Sequence, residues 1–306
     1  MLSLIVFSAI NGLSYGMLLF MLASGLTVIL SLMGVLNFAH ASLYMLGAYL
    51  GFEISKYVGF WPGIVLAPLL VGFIGAMIER FGLRKVHALG PAAELLFTFG
   101  LAFIITEAVQ MIWGKSPVDY RIPPSLDFTA FELLGFNYPA YRLFMLAVAG
   151  VVFLALTLAL TRTRIGLVVQ AALSHPHMVA LLGHNVPRIF MLVFGLGAAL
   201  AGLAGAIAGP ALVTAPDMAS HLGALLFVLI IVGGLGSLIG ALVASLLLGL
   251  IQTFAVSLDF PLAHLVAPFG LSGGSLTLSQ ISPALPYLFL VLILIFRPTG
   301  LMGNRE

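Results

Sequence analysis

The sequence predicts an all-α polytopic membrane protein, and three observations carry that class. Of 306 residues, 62% are apolar and 7% are charged, where a soluble domain carries about 25% charged residues. Residues 1–52 contain no Asp, Glu, Lys or Arg, and 222–258 are equally bare. Runs such as Leu143–Leu160 and Leu288–Phe296 are apolar on every side, which excludes the apolar–polar alternation of a transmembrane β-barrel.

Apolar runs of about 18 residues or more without charge can cross a bilayer as helices. In chain order the expected spans are Leu4–Leu32, Leu43–Tyr57, Pro62–Ile78, Leu95–Trp113, Leu143–Leu160, Ile189–Ala208, Leu222–Val232, Leu238–Val256 and Ala284–Phe296. Several fall short of the roughly 20 residues of a straight crossing, so about eight to nine helical segments are expected, some broken or re-entrant. All belong to one transmembrane domain over residues 1–306.

Basic residues set the orientation. One side collects Arg80, Arg84, Lys85, Arg162, Arg164, Arg188, Arg297 and Arg305; the other holds Lys56, Lys115, Arg121 and Arg142. The first side reads as cytoplasm, which with nine crossings puts the N-terminus outside and the C-terminus inside. No basic stretch precedes the first apolar run, which argues against a cleavable signal peptide.

Two connections are long. The outer loop 114–142 is rich in proline and aromatics and reads either as a structured connector or as a cap that could meet an external partner. The inner loop 161–188 contains Ser174-His-Pro-His-Met-Val-Ala-Leu-Leu-Gly183. Pro176 suits a first helical turn and Gly183 the left-handed position that closes a helix. The short helix between them presents Met178, Val179, Leu181 and Leu182, an apolar face that needs a membrane surface or a partner's groove to cover it.

The chemistry classes are mostly negative. A net charge of +2 argues against nucleic-acid binding, and the absence of cysteine removes disulfides and thiolate metal sites. No catalytic residue and no metal site is expected: His175, His177 and His184 lack an acid or thiol companion. There is no G-x-x-x-x-G-K-[ST] motif, so if ATP powers the protein another subunit binds it. Ionisable residues fall mainly at span ends, with Glu107 the deepest acid and His40 the deepest base, which disfavours the alternative of an ion-coupled secondary transporter or channel.

Two segments are candidates for a translocation pathway. In Gly233-Gly234-Leu-Gly236-Ser237, three glycines in four residues disfavour a continuous helix, and irregular backbone at membrane depth belongs inside protein or beside a cavity. In Asn37-Phe38-Ala-His40, two polar side chains three residues apart lie between long apolar runs. On a helix they would share a face, and they must meet protein, a cavity or the interface. The many other glycines read as helix-packing positions.

Together these pieces resemble a known family, the permease subunits of branched-chain amino acid-type ABC importers, in the branch of LivH-like proteins. The resemblance covers almost the whole chain. It rests on Asn11-Gly-Leu-Ser-Tyr-Gly16, Leu36-Asn-Phe-Ala-His-Ala41, Met45-Leu-Gly-Ala-Tyr49, Thr161-Arg-Thr-Arg-Ile-Gly166, Ala180-Leu-Leu-Gly183 with Arg188, the Gly195–Gly209 span, Val232-Gly-Gly-Leu-Gly-Ser237 and Phe296-Arg-Pro-Thr-Gly-Leu-Met-Gly303. It implies a bacterial inner-membrane subunit with no cofactor of its own, paired with a second related permease. It also implies two cytoplasmic ATPase subunits that carry ATP and Mg, and a periplasmic solute-binding protein. The inner loop then corresponds to the ATPase-coupling segment, with Arg164, Gly166, Pro176, Met178, Ala180, Leu181, Leu182, Gly183 and Arg188 as its residues. Asn37, Phe38, His40, Gly233, Gly234, Gly236 and Ser237 fall in the central helices. The implied cargo is a small neutral or zwitterionic solute, first a branched-chain amino acid, with urea or an amide as other members. The chain departs from the family's pattern at Ser174-His-Pro-His177, which lacks an acid, at Leu167, and at Ala41-Ser42.

Overall fold

The computed structural model describes residues 2–133, 135–259, 261 and 277–303. Its long elements are α1 (Leu2–Met33), α2 (His40–Val58), α3 (Phe60–Ile78), a π-helical turn (Glu79–Leu83), α4 (Arg84–His87) and α5 (Pro91–Trp113). An outer hairpin follows, β1 (Thr129–Leu133) with β2 (Phe136–Pro139), then α6 (Ala140–Arg162), α7 (Arg164–Ser174), α8 (Pro176–Leu181) and α9 (Val186–Ala208). The chain continues through α10 (Met218–Gly233), α11 (Leu238–Leu258), α12 (Leu278–Ile281), a 3₁₀ turn (Ser282–Ala284) and α13 (Leu285–Phe296). Arg305 lies outside the described residues.

Each of the nine expected spans is a helix. Among the described residues, seven helical stretches are long and apolar enough to cross a membrane, and Met218–Gly233 is a shorter apolar helix. Most spans run a few residues past the expected bounds, and two run well past them. Phe60 continues through the π turn to His87, and the last span begins at Leu278. The π turn lets the helix carry Glu79, Arg84 and His87 past the apolar stretch without a break.

The molecule is built around α1 and α9, the most buried spans. Lipid offers no hydrophobic drive for helix association, so close backbone approach does the work. Small residues supply it: a Cβ at Gly16 would lie 2.8 Å from Leu246 Cα of α11, and one at Gly202 would lie 2.8 Å from Val71 Cβ of α3. Gly47 of α2 faces the Gly202 backbone and Gly25 of α1 faces Gly197. The glycine rows of α9 are packing positions against three neighbours.

The outer loop is a structured cap. Its hairpin pairs Glu132 with Asn137, and buried Tyr138 meets the Ser14 hydroxyl of α1 at 2.5 Å. Val118 N–H donates to Thr214 O at 2.9 Å. Tyr120 hydroxyl lies 3.4 Å from Ser55 Oγ, and burial pushes its phenol above the ordinary range. Beside it the Arg121 guanidinium holds the Asp119 carboxyl below the usual carboxylate range.

Candidate functional site

The Asn37–His40 segment turns out to be a deep turn ahead of α2. Asn37 is therefore not helical, which corrects the shared-face expectation: its Oδ1 accepts from Ala39 N–H at 3.0 Å while its carbonyl accepts from His40 N–H at 3.2 Å. His40 Nε2–H donates to Leu22 O of α1 at 3.1 Å. Leu22 is eleven residues before the end of α1 at Met33, or ~16 Å at 1.5 Å per residue. The chain thus leaves α1, turns back into the molecule, and starts α2 beside the interior of α1, ~16 Å from that helix's end.

Two hydrogen bonds to α5 hold this depth: Phe38 N–H to Thr98 Oγ1 at 3.3 Å and Ser42 Oγ to Ala102 O at 3.2 Å. Asn37 and His40 are almost fully buried, and Asn37 Nδ2 and His40 Nδ1 have no partner among the described residues. Phe38 points the other way. It is 38% exposed and its ring lies 4.5 Å from Phe227 of α10 and 6.3 Å from Phe99 of α5.

At 16 residues, α10 spans ~24 Å, less than the bilayer core. Its Gly223 faces Ala41, where an added Cβ would sit at an ordinary 3.6 Å. The first turn of α2 and the second turn of α10 therefore oppose one another, with α5 along the side. Between them lies a groove of about 360 Å³ lined by Phe38, Ser42, Phe103, Thr106, Ser220 and Phe227, among others. Glu107 is exposed one residue further along α5, on the stripe that continues from Phe103. An acid on a membrane-spanning helix belongs against protein or water rather than lipid.

The glycine cluster sits elsewhere. Gly233 ends α10, Gly234 and Gly236 adopt positive φ of 102° and 80°, and Ser237 caps α11 by accepting from Gly240 N–H at 3.0 Å. The C-terminal segment docks on this turn, Leu301 N–H donating to Val232 O at 2.8 Å and Met302 N–H to Gly233 O at 3.0 Å. A Cβ at Gly236 would lie 3.3 Å from Ser31 Cα of α1. The cluster is a turn between two helices at the end of the molecule that carries Arg297, and the groove at Phe38 does not include it.

The inner loop forms the expected short helix, α8, and a further helix, α7, that the sequence did not announce. Thr163 caps α7 by accepting from Gly166 N–H at 3.1 Å, and Gly166 is buried where a side chain would strike the last turn of α6. Pro176 occupies the first position of α8. Gly183, at φ 87°, donates its N–H to Ala180 O at 3.0 Å and His184 N–H to Val179 O at 3.2 Å, the paired bonds of a Schellman motif. Val179 turns inward, whereas Met178, Leu181 and Leu182 are 63%, 83% and 78% exposed and Ala180 is exposed beside them. Arg164 and Arg188 flank the loop near the membrane end, both exposed.

A charged latch at the same end was missed by the sequence reading. Arg84 holds nearly buried Glu79 through two hydrogen bonds of 3.1 and 2.6 Å and donates to Pro187 O at 2.7 Å, tying α4 to the start of α9. His87 pairs with buried Glu94 of α5. The five-residue spacing from Glu79 to Arg84 shows the pairing only once the π turn is known.

Residues 8–297 match the family described as branched-chain amino acid transport system / permease component. Curated relatives include the high-affinity branched-chain amino acid transport system permease proteins BraD of Pseudomonas aeruginosa, 28% identical over 97% of this chain and 95% of that protein, and LivH of Escherichia coli, 30% identical over 97% and 94%. A probable branched-chain amino acid transport permease of Methanocaldococcus jannaschii is 26% identical over 85% of this chain and 90% of its own. No solved structure matches the chain.

Proposed function

This chain belongs to the permease components of branched-chain amino acid transport systems, and from that premise we propose that it is a membrane subunit of an ATP-driven importer of small zwitterionic solutes, branched-chain amino acids first. One observation carries the reading beyond the family. Two helices, α2 and α10, face each other across a groove that Thr106 of α5 lines, and the exposed acid Glu107 follows Thr106 directly.

That arrangement suits an amino acid. The amino end of a helix carries partial positive charge and unpaired N–H groups, so the starts of α2 and α10 favour a carboxylate. Glu107 supplies the opposite charge for an ammonium group. Phe38, Phe103 and Phe227 offer an apolar wall for an aliphatic side chain. Asn37 and His40 are buried behind this wall and set the depth of Phe38. The Gly233–Ser237 turn, at the inner end of α10, forms the cytoplasmic edge of the same path.

The partners follow. A second, related permease faces the exposed side of α5 and completes the pathway around Glu107. Two cytoplasmic ATPases, which hold the ATP and Mg, dock on α8 through Met178, Leu181 and Leu182, and an external solute-binding protein delivers cargo to the outer cap. The subunit itself performs no chemical step; ATP binding on its partners biases rigid-body motion between outward- and inward-facing states. The membrane is the bacterial inner membrane, with the N-terminus outside and Arg80, Arg84, Arg164, Arg188 and Arg297 on the cytoplasmic side.

Reconstitution tests the reading. Proteoliposomes holding this chain, a second permease, the ATPases and the binding protein are expected to accumulate labelled leucine only with internal-facing ATP. Gradient-driven uptake by the chain alone would overturn it.

A further inference from the structure

We propose that the cleft between α1, α6, α7 and α9 is a binding site for a phospholipid with an anionic headgroup. The cleft has a volume of about 680 Å³ and is apolar along most of its length. Val28, Leu32, Leu156 and Val193 form its buried floor, while Leu192 and Leu196 stand 66% and 49% exposed along its side. One end is different. There Arg164, Arg188 and His184 line the cleft, no Asp or Glu does, and neither arginine side chain has an ion-pair or hydrogen-bond partner among the described residues.

Charge and dimension together choose the occupant. Arg188 and Leu196 are eight residues apart on α9, or ~12 Å, close to the ~15 Å hydrocarbon depth of one leaflet. Acyl chains fit the apolar length, and guanidinium groups pair with a phosphate bidentately at the interface end. A free anion leaves the apolar length uncovered. A purely apolar helix from another subunit leaves both arginines unpaired. Met178, Leu181 and Leu182 do not line this cleft, so the site is separate from the α8 face.

The test uses the assembled transporter in vesicles of phosphatidylcholine with or without phosphatidylglycerol, followed by native mass spectrometry of retained lipid. Phosphatidylglycerol is expected to stay bound in preference to phosphatidylcholine. Retention should fall about tenfold, equivalent to 1.4 kcal/mol, in Arg164→Gln/Arg188→Gln, and should also fall in Leu196→Trp, which fills the cleft and leaves its charge alone. Equal retention of the two lipids by the unaltered protein, or unchanged retention in both variants, overturns the proposal. Displacement of phosphatidylglycerol by inorganic phosphate at millimolar concentration does so too. Lipid retention is read without uptake, so its failure leaves the importer reading intact, and loss of ATP-driven uptake leaves the lipid site intact.

Discussion

His40 of α2 donates its Nε2–H to the carbonyl of Leu22, a residue eleven positions inside α1. With the bonds from Phe38 and Ser42 to α5, this bond sets where α2 begins against α1, and with that the position of Phe38 on the groove. Leu22 O already lies in a helix, so the imidazole is an added anchor and not a replacement for the helical ladder. His40→Leu removes the donor and is expected to lower stability by about 1–3 kcal/mol. His40→Gln, which keeps a donor, should recover part of that loss. Thermal midpoints of the purified complex in one detergent read the difference, and equal midpoints for the leucine and glutamine variants would remove the anchor.

Gly223 of α10 faces Ala41 in the first turn of α2. Alanine fits there, because an added Cβ meets Ala41 at 3.6 Å. Leucine projects into the groove. Gly223→Ala should keep uptake near the original rate, while Gly223→Leu should cut it about tenfold or more, as a side chain in a filled path costs at least 1–3 kcal/mol. ATPase co-purification should be the same for both, which separates a blocked path from a misassembled subunit.

Glu107 is expected to face water or a partner in the assembled transporter. The natural chain has no cysteine, so Glu107→Cys and Ile104→Cys give clean single-site probes. A charged, membrane-impermeant thiol reagent should modify position 107, and bound substrate should slow the reaction. Failure to label 107 in any state of the transport cycle would place that side chain against lipid and undo its assignment.

The apolar face of α8 has nothing over it among the described residues. Leu181→Asp or Leu182→Asp puts a charge on a face that must be desolvated on docking, and each should abolish co-purification of the ATPases while leaving membrane insertion unchanged. Intact association would move the docking surface away from α8.

Arg84 and Glu79 form a partly buried ion pair. Arg84→Ala strands a carboxylate that is 2% exposed and is expected to cost about 1–3 kcal/mol. Removing both charges in Glu79→Gln/Arg84→Gln should cost less than Arg84→Ala alone. A double-mutant cycle on thermal midpoints measures that coupling.

Much of the architecture follows from local chemistry that a sequence displays. Long uncharged runs must be helical in lipid because no other open backbone arrangement satisfies its own hydrogen bonds. Arg80, Arg84, Arg164, Arg188 and Arg297 mark one side because charge stays out of hydrocarbon. Pro176 and Gly183 bracket α8 because one lacks an N–H and the other tolerates positive φ, and the family resemblance rests on the order of such pieces.

Depth was a matter for the tertiary structure. Asn37-Phe-Ala-His40 reads equally well as an interfacial turn until Leu22 and Thr98 fix where it sits. The groove draws Phe38, Thr106 and Phe227 from three elements far apart in the chain. The Glu79–Arg84 pair depends on a π turn that no periodicity announces. Sequence patterns report which groups must avoid lipid or water. Only the packing of α1, α5, α9 and α10 decides which of those groups meet, because helix register and depth are set by backbone contacts between residues hundreds of positions apart.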